Sequence, residues 1–143
     1  MTTNTDHPGA AEQALYKQSR GAVGMLAAEF LLGMGVNLIG PVSEAKGATK
    51  VVVSILLGLH VLVAVGLAVT AGRAVPAARG TANSNLAIAG AVAIGVTIIA
   101  GFGTMSTDSP WLSYLMAVGF LASVLIYGRL LVATTDRSTT ARA

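Results

Sequence analysis

The chain contains no cysteine and has few charged or aromatic residues. Without cysteine it has no disulfides, no thiolate metal site and no cysteine nucleophile. Charged residues make up 10% of the 143 residues, against about 25% in ordinary soluble domains. So few charges could hardly cover a soluble fold of this size, which excludes an ordinary soluble enzyme, a disordered chain and a secreted mini-protein. The nine basic residues are spread thinly, so the sequence predicts no nucleic-acid partner.

Hydrophobic residues make up 54% of the chain and are concentrated in four long apolar runs, at about 21–40, 51–71, 86–104 and 111–132. Each run is close to the ~20 residues that a helix needs to cross a ~30 Å hydrocarbon core. Open strands would leave backbone groups unsatisfied in lipid, and the runs lack the alternation of a membrane barrel. The sequence therefore predicts an all-α fold, an integral membrane four-helix antiparallel bundle. Its membrane domain covers 21–133, between tails at 1–20 and 134–143.

Turn-forming residues separate the four runs. Pro41 follows the first run, and Gly72 and Pro76 follow the second, where we expect them to end the helix. The segment 83–85, Asn-Ser-Asn, is expected to cap the third helix. Ser109 and Pro110 are expected to occupy the cap and the first position of the fourth.

The basic residues near the ends of the spans predict the orientation of the chain. Seven lie on the side of the termini, and two, Lys46 and Lys50, lie on the other side. Because cytoplasmic loops carry the excess of Lys and Arg, both termini are expected to be cytoplasmic. Trp111 and Tyr114 begin the fourth run, where an outer aromatic belt would lie, and Tyr127 with Arg129 marks its inner end.

Small residues are expected to mediate packing between the helices, since lipid provides no hydrophobic drive for their association. Two Gly-x-Gly pairs, Gly33 with Gly35 and Gly101 with Gly103, lie toward the outer ends of the first and third helices. They indicate either an old duplication or two hairpins that each use glycine for close packing of their helices. Four further pairs with small-xxx-small spacing favour packing inside the bundle: Ala89–Ala93, Ala91–Gly95, Ser113–Ala117 and Gly119–Ser123.

Glu29, His60 and Asn37 are the polar residues in the spans that carry a functional signal. At 1.5 Å per residue, Glu29 lies ~12 Å and His60 ~16 Å from the cytoplasmic ends of their spans, close to the midplane. The first two helices form a short-loop hairpin, so these two side chains can meet. Glu29 shares a helical face with mostly small residues, which favours an inward, close-packing face.

Each of these residues has more than one interpretation. Glu29 is either a proton-carrying or ligand-pairing carboxylate, or a buried glutamic acid held by a hydrogen bond. His60 is a haem ligand, a proton relay or a structural residue. Asn37 is expected to hydrogen-bond across helices or to cap the loop. The spans contain no second histidine, carboxylate cluster, phosphate-binding loop or nucleophile motif, so we expect no enzyme, no metal site and no bis-His haem held by one chain.

The segments 29–38, 56–60 followed by Gly66, and 113–120 resemble a group of small four-helix membrane proteins of high-GC, actinobacteria-like bacteria. The resemblance spans all four helices. It implies a multi-pass protein of the bacterial plasma membrane, with no assigned activity. More remotely, the plan resembles one half of haem A synthase, a four-helix bundle with haem-ligand histidines. His60 matches the first ligand helix of such a half, whereas the fourth helix here has no histidine.

Three functions are compatible with this pattern. The first is a structural or accessory protein of the lipid bilayer, whose partners are other membrane subunits or further copies of itself. The second is a haem-binding or electron-transfer protein that uses His60 as axial ligand. The third is a proton-coupled exporter of small molecules that uses Glu29, similar to small multidrug transporters with a glutamate in helix one. Those transporters are shorter and rich in aromatic residues, whereas aromatics are 5% here.

Overall fold

The computed structural model describes residues 8–107 and 109–140 of the chain. They form four helices, α1 (Pro8–Ile39), α2 (Gly47–Ala78), α3 (Ser84–Thr107) and α4 (Pro110–Thr140), and these described residues include no strand. All four helices are long and apolar enough to cross a membrane. The predicted all-α architecture of four membrane-spanning helices is confirmed.

The helix ends follow local backbone chemistry. Gly40 and Gly80 come just after α1 and α2 and have φ values of 93° and 77°. This left-handed conformation, which glycine adopts at little cost, is common where helices end. Pro110 is the first residue of α4, and the Ser109 carbonyl accepts a hydrogen bond of 3.2 Å from the backbone N–H of Leu112. Ser109 and Pro110 therefore occupy the cap and first positions predicted for them.

The helices are longer than the apolar runs. α1 already begins at Pro8, and α4 continues to Thr140. The expectation that Gly72 and Pro76 end the second helix is wrong, because α2 continues through both to Ala78. Its last turns are rich in alanine, the best helix former, and Ala71, Ala74 and Ala78 are buried. Burial of this alanine face offsets the loss of one backbone hydrogen bond at the proline.

The helices form a ring in which each packs on its neighbours in sequence and α4 closes against α1. In the described part of the chain, no Cα atoms of the diagonal pairs α1–α3 and α2–α4 come within 8 Å of each other. We call α1–α2 the first hairpin and α3–α4 the second, and these two pairs make the most extensive contacts. The end of the bundle with both chain termini is the terminal end, and the opposite end is the loop end.

The buried core lies mainly toward the terminal end, where residues from all four helices form one cluster: Leu15, Ala22, Leu26, Leu67, Ala71, Ala74, Ala78, Ala87, Ile94, Tyr127 and Leu130. Tyr127 is fully buried, so it belongs to the core rather than to an interfacial aromatic belt. Toward the loop end, large apolar side chains such as Leu38, Ile99 and Trp111 are mostly exposed. Such an apolar surface is what lipid or another membrane protein would cover.

Candidate functional site

Glu29 of α1 and His60 of α2 meet between the helices of the first hairpin. His60 Nδ1 lies 3.4 Å from Glu29 Oε1. The Glu29 side chain is 11% exposed and that of His60 is 30% exposed. His60 Nδ1 and Glu29 Oε2 have no hydrogen-bond partner in the described structure, so this is a loose polar contact rather than a well-formed hydrogen bond. The structure thus brings together the two residues that helix geometry had placed near the midplane.

Two glycines of α1 make room for the side chains of α2. A Cβ added at Gly33, one turn after Glu29, would lie 3.4 Å from His60 Cε1. A Cβ at Gly35 would lie 3.4 Å from Leu56 Cδ1. The imidazole therefore packs on the surface of Gly33 while its Nδ1 edge faces the carboxyl group.

The contacts on the terminal side of the pair are mostly apolar. Thr70 donates a hydrogen bond of 2.9 Å to the carbonyl of Gly66 on its own helix, and its hydroxyl lies 3.7 Å from the sulfur of Met25. A Cβ at Gly66 would lie 3.6 Å from Met25 Cε. On this side the pair is therefore bordered by groups that interact only weakly with a charge. Since an unpaired buried carboxylate is costly, the contact with His60 stabilises Glu29 in this place.

The second hairpin repeats this packing with apolar residues. A Cβ at Gly101 would lie 3.3 Å from Met116 Sδ, and one at Gly103 would lie 2.8 Å from Leu112 Cδ1. The two glycines are two residues apart on one helix and their partners four residues apart on the other, as in the first hairpin. The sequence signal for this register was the pair of Gly-x-Gly segments.

The shared register assigns each member of the polar pair a counterpart. Met116 packs on Gly101 as His60 packs on Gly33. Thr97, four residues before Gly101, occupies the place of Glu29. Its hydroxyl donates a hydrogen bond of 2.8 Å to Ala93 and packs against the backbone of Gly119. The second hairpin therefore achieves the same helix pairing without an ionisable pair.

Asn37 lies apart from the pair. It is exposed, and it is about two turns, or ~12 Å, closer to the loop end than Glu29. One groove along the terminal half of the first hairpin and another beside Lys50 and Val51 are lined by neither Glu29 nor His60. Across the described residues, no three His, Cys, Asp or Glu side chains group as metal ligands.

Comparisons with protein families, with characterised proteins and with solved structures find no match for this chain. The resemblances to actinobacterial four-helix proteins and to half of haem A synthase therefore stay predictions.

Proposed function

We propose that this chain is a small accessory membrane protein without a catalytic site, and that it joins another membrane protein through the region of the Glu29–His60 pair. The observation that carries the proposal is the partial exposure of His60, 30% of its side chain, beside its contact with Glu29. Polar groups inside a membrane are costly unless another group satisfies them. A hydrogen-bonding group of a partner helix would cover the accessible part of the imidazole.

The second hairpin argues against a role in packing alone. There, Met116 lies on Gly101 as His60 lies on Gly33, and the helices pair in the same register. A methionine is thus sufficient for this contact. Packing does not require the histidine in the first hairpin. Its presence beside a glutamate in apolar surroundings therefore supports a role in recognising a partner.

Crosslinking in the native membrane tests the proposal. The absence of cysteine allows single-cysteine variants, and Leu59 and Leu115 are a matched pair. Each precedes one of the two counterparts, His60 or Met116, and they are 44% and 43% exposed. After coupling to a thiol-reactive photocrosslinker, we expect Leu59→Cys to give one discrete adduct that Leu115→Cys does not give.

The same experiment identifies the partner class. An adduct of twice the chain mass indicates a second copy, and any other mass indicates a different protein. Adding His60→Met to Leu59→Cys should remove the adduct. An adduct that persists in this variant, or the absence of any adduct from Leu59→Cys, would reject the proposal.

A second candidate, haem binding through His60, is supported by one contact. Glu29 lies on the Nδ1 side of His60, as carboxylates do that orient a metal-ligating histidine. The chain has no other histidine in its described helices, so a second axial ligand would have to be supplied by another residue type or another chain. An absorption spectrum of the purified protein, oxidised and then reduced with dithionite, tests this. A Soret band that His60→Ala removes would support haem binding, and a flat spectrum after haem addition would reject it.

A further inference from the structure

An open groove of about 740 Å³ runs along α1 beside α2 in the terminal half of the first hairpin. Gln13, Tyr16, Lys17 and Arg20 line its part nearest the terminal end. These side chains supply two positive charges together with amide and phenol donors. In the described residues neither Lys17 nor Arg20 forms an ion pair. This end of the groove is suited to an anion.

The other part of the groove is apolar. Gly21, Gly24 and Ala28 of α1 line it, with Met25 and Val63 at its side. Gly24 is exposed, and a Cβ there would meet no atom within 4 Å, so helix packing does not require glycine at this position. Glycine weakens a helix relative to alanine. With glycine here, no side chain projects from this position into the groove.

The length of the groove matches one leaflet of a bilayer. From Lys17 to Ala28 the helix rises about 16 Å at 1.5 Å per residue. Half of the hydrocarbon thickness is about 15 Å. A molecule with an anionic group at Lys17 and an apolar chain ending near Ala28 would therefore fit both the charge and the depth.

We propose that this groove binds an anionic phospholipid. Lys17 and Arg20 contact the phosphate, Tyr16 and Gln13 donate hydrogen bonds to the headgroup, and one acyl chain lies over Gly21 and Gly24. Basic residues at the membrane surface attract anionic lipids, and the small residues shape the surface for the chain. The groove is lined by neither member of the polar pair, so this inference does not rest on the accessory function.

Native mass spectrometry of the full chain in detergent with equal amounts of phosphatidylglycerol and phosphatidylcholine, of identical acyl chains, tests the site. We expect the wild type to retain one phosphatidylglycerol in preference to phosphatidylcholine. In the double variant Lys17→Gln/Arg20→Gln this preference should fall by about fivefold for each basic residue, or about twenty-five-fold in all. Arg73→Gln/Arg79→Gln removes the same charge from residues that do not line the groove and should keep the preference.

A second pair of variants tests the acyl chain. Gly24→Leu fills the groove, whereas Gly72→Leu places the same side chain on an exposed helical position outside it, where a Cβ also meets nothing within 4 Å. Retention of phosphatidylglycerol should fall in Gly24→Leu alone. Equal retention of both lipids by the wild type, equal losses in the groove and control variants, or undiminished retention in Gly24→Leu would each overturn the proposal.

Discussion

The two hairpins of this protein pair their helices in the same register but fill the contact differently. In the first, Gly33 lies against His60, which contacts Glu29. In the second, Gly101 lies against Met116 at the corresponding place. Helix pairing therefore requires a glycine opposite a large side chain, which both hairpins have. The ionisable pair is an addition that only the first hairpin has.

The hairpins also differ in how closely the side chains of the opposite helix approach the glycines. In the first hairpin, a Cβ at Gly33 or Gly66 would meet its nearest neighbour at 3.4 or 3.6 Å, which is ordinary contact. In the second, a Cβ at Gly90 would lie 2.9 Å from Cε2 of Tyr127, whose buried ring fills the space. Close packing therefore fixes the second hairpin, whereas the first has room to adjust around its polar contact.

The largest effect that this difference predicts comes from adding one methyl group to each hairpin. Gly90→Ala should lower the free energy of unfolding by about 1–3 kcal/mol, because the added methyl would lie 2.9 Å from the buried Tyr127 ring and 3.0 Å from Ile126 Cγ2, which would have to shift. Gly66→Ala should leave stability unchanged or raise it by up to about 1 kcal/mol through helix propensity. Unfolding by SDS in mixed micelles, followed by circular dichroism, measures both. An equal loss of stability in the two variants would contradict the inference that the second hairpin is packed more closely than the first.

Removing one member of the polar pair should have the next largest effect. His60→Met gives the first hairpin the side chain of Met116 but leaves Glu29 buried without its partner. We expect a loss of about 1–2 kcal/mol, near the upper range for polar contacts between membrane helices. Leu56→Met, one turn away, is the control for a change to methionine in the same seam and should cost less. No loss in His60→Met would show that Glu29 does not depend on His60.

Replacing both members by their counterparts tests the comparison directly. The variant Glu29→Thr/His60→Met makes the first hairpin resemble the second at these two places. Because a polar pair replaced by well-fitting neutral residues leaves no orphaned group, we expect the free energy of unfolding to stay within about 1 kcal/mol of wild type. The partner adduct from Leu59→Cys should nevertheless disappear. A double variant less stable than His60→Met alone would show that the pair is needed for packing after all.

The fold was predictable from the sequence because four apolar runs of membrane-spanning length leave few alternatives in lipid. The juxtaposition of Glu29 and His60 was also predictable, since a short loop between two helices places residues at equal depth side by side. Helix lengths were not, because an apolar run marks the membrane rather than the end of a helix. Alanine burial at Ala74 and Ala78 carries α2 past Pro76.

The contact surfaces between the helices were harder to predict. Of the small-residue pairs expected to pack, Gly119 and Ser123 do lie at a buried surface of α4, whereas Ala89 is exposed and a Cβ at Gly95 would meet nothing. Besides the predicted Gly101 and Gly103, α3 approaches α4 closely at Gly90 and Thr97, which the spacing did not single out. Spacing alone identifies a helix face that permits close approach, but which face is used depends on the side chains of the opposite helix, such as Tyr127.

The smallest expected effect concerns Thr97, the counterpart of Glu29. Its hydroxyl bonds to Ala93 on its own helix, so it links no two helices by a hydrogen bond. Thr97→Val keeps the shape against Gly119 and removes only this local bond. We expect a change in the free energy of unfolding of less than about 0.5 kcal/mol, below the average of about 0.6 kcal/mol for hydrogen bonds between membrane helices. A loss of stability as large as that of His60→Met would mean that both hairpins depend on a polar group at this position. The Glu29–His60 pair would then be a stronger form of a feature that both hairpins share, rather than an addition to the first hairpin.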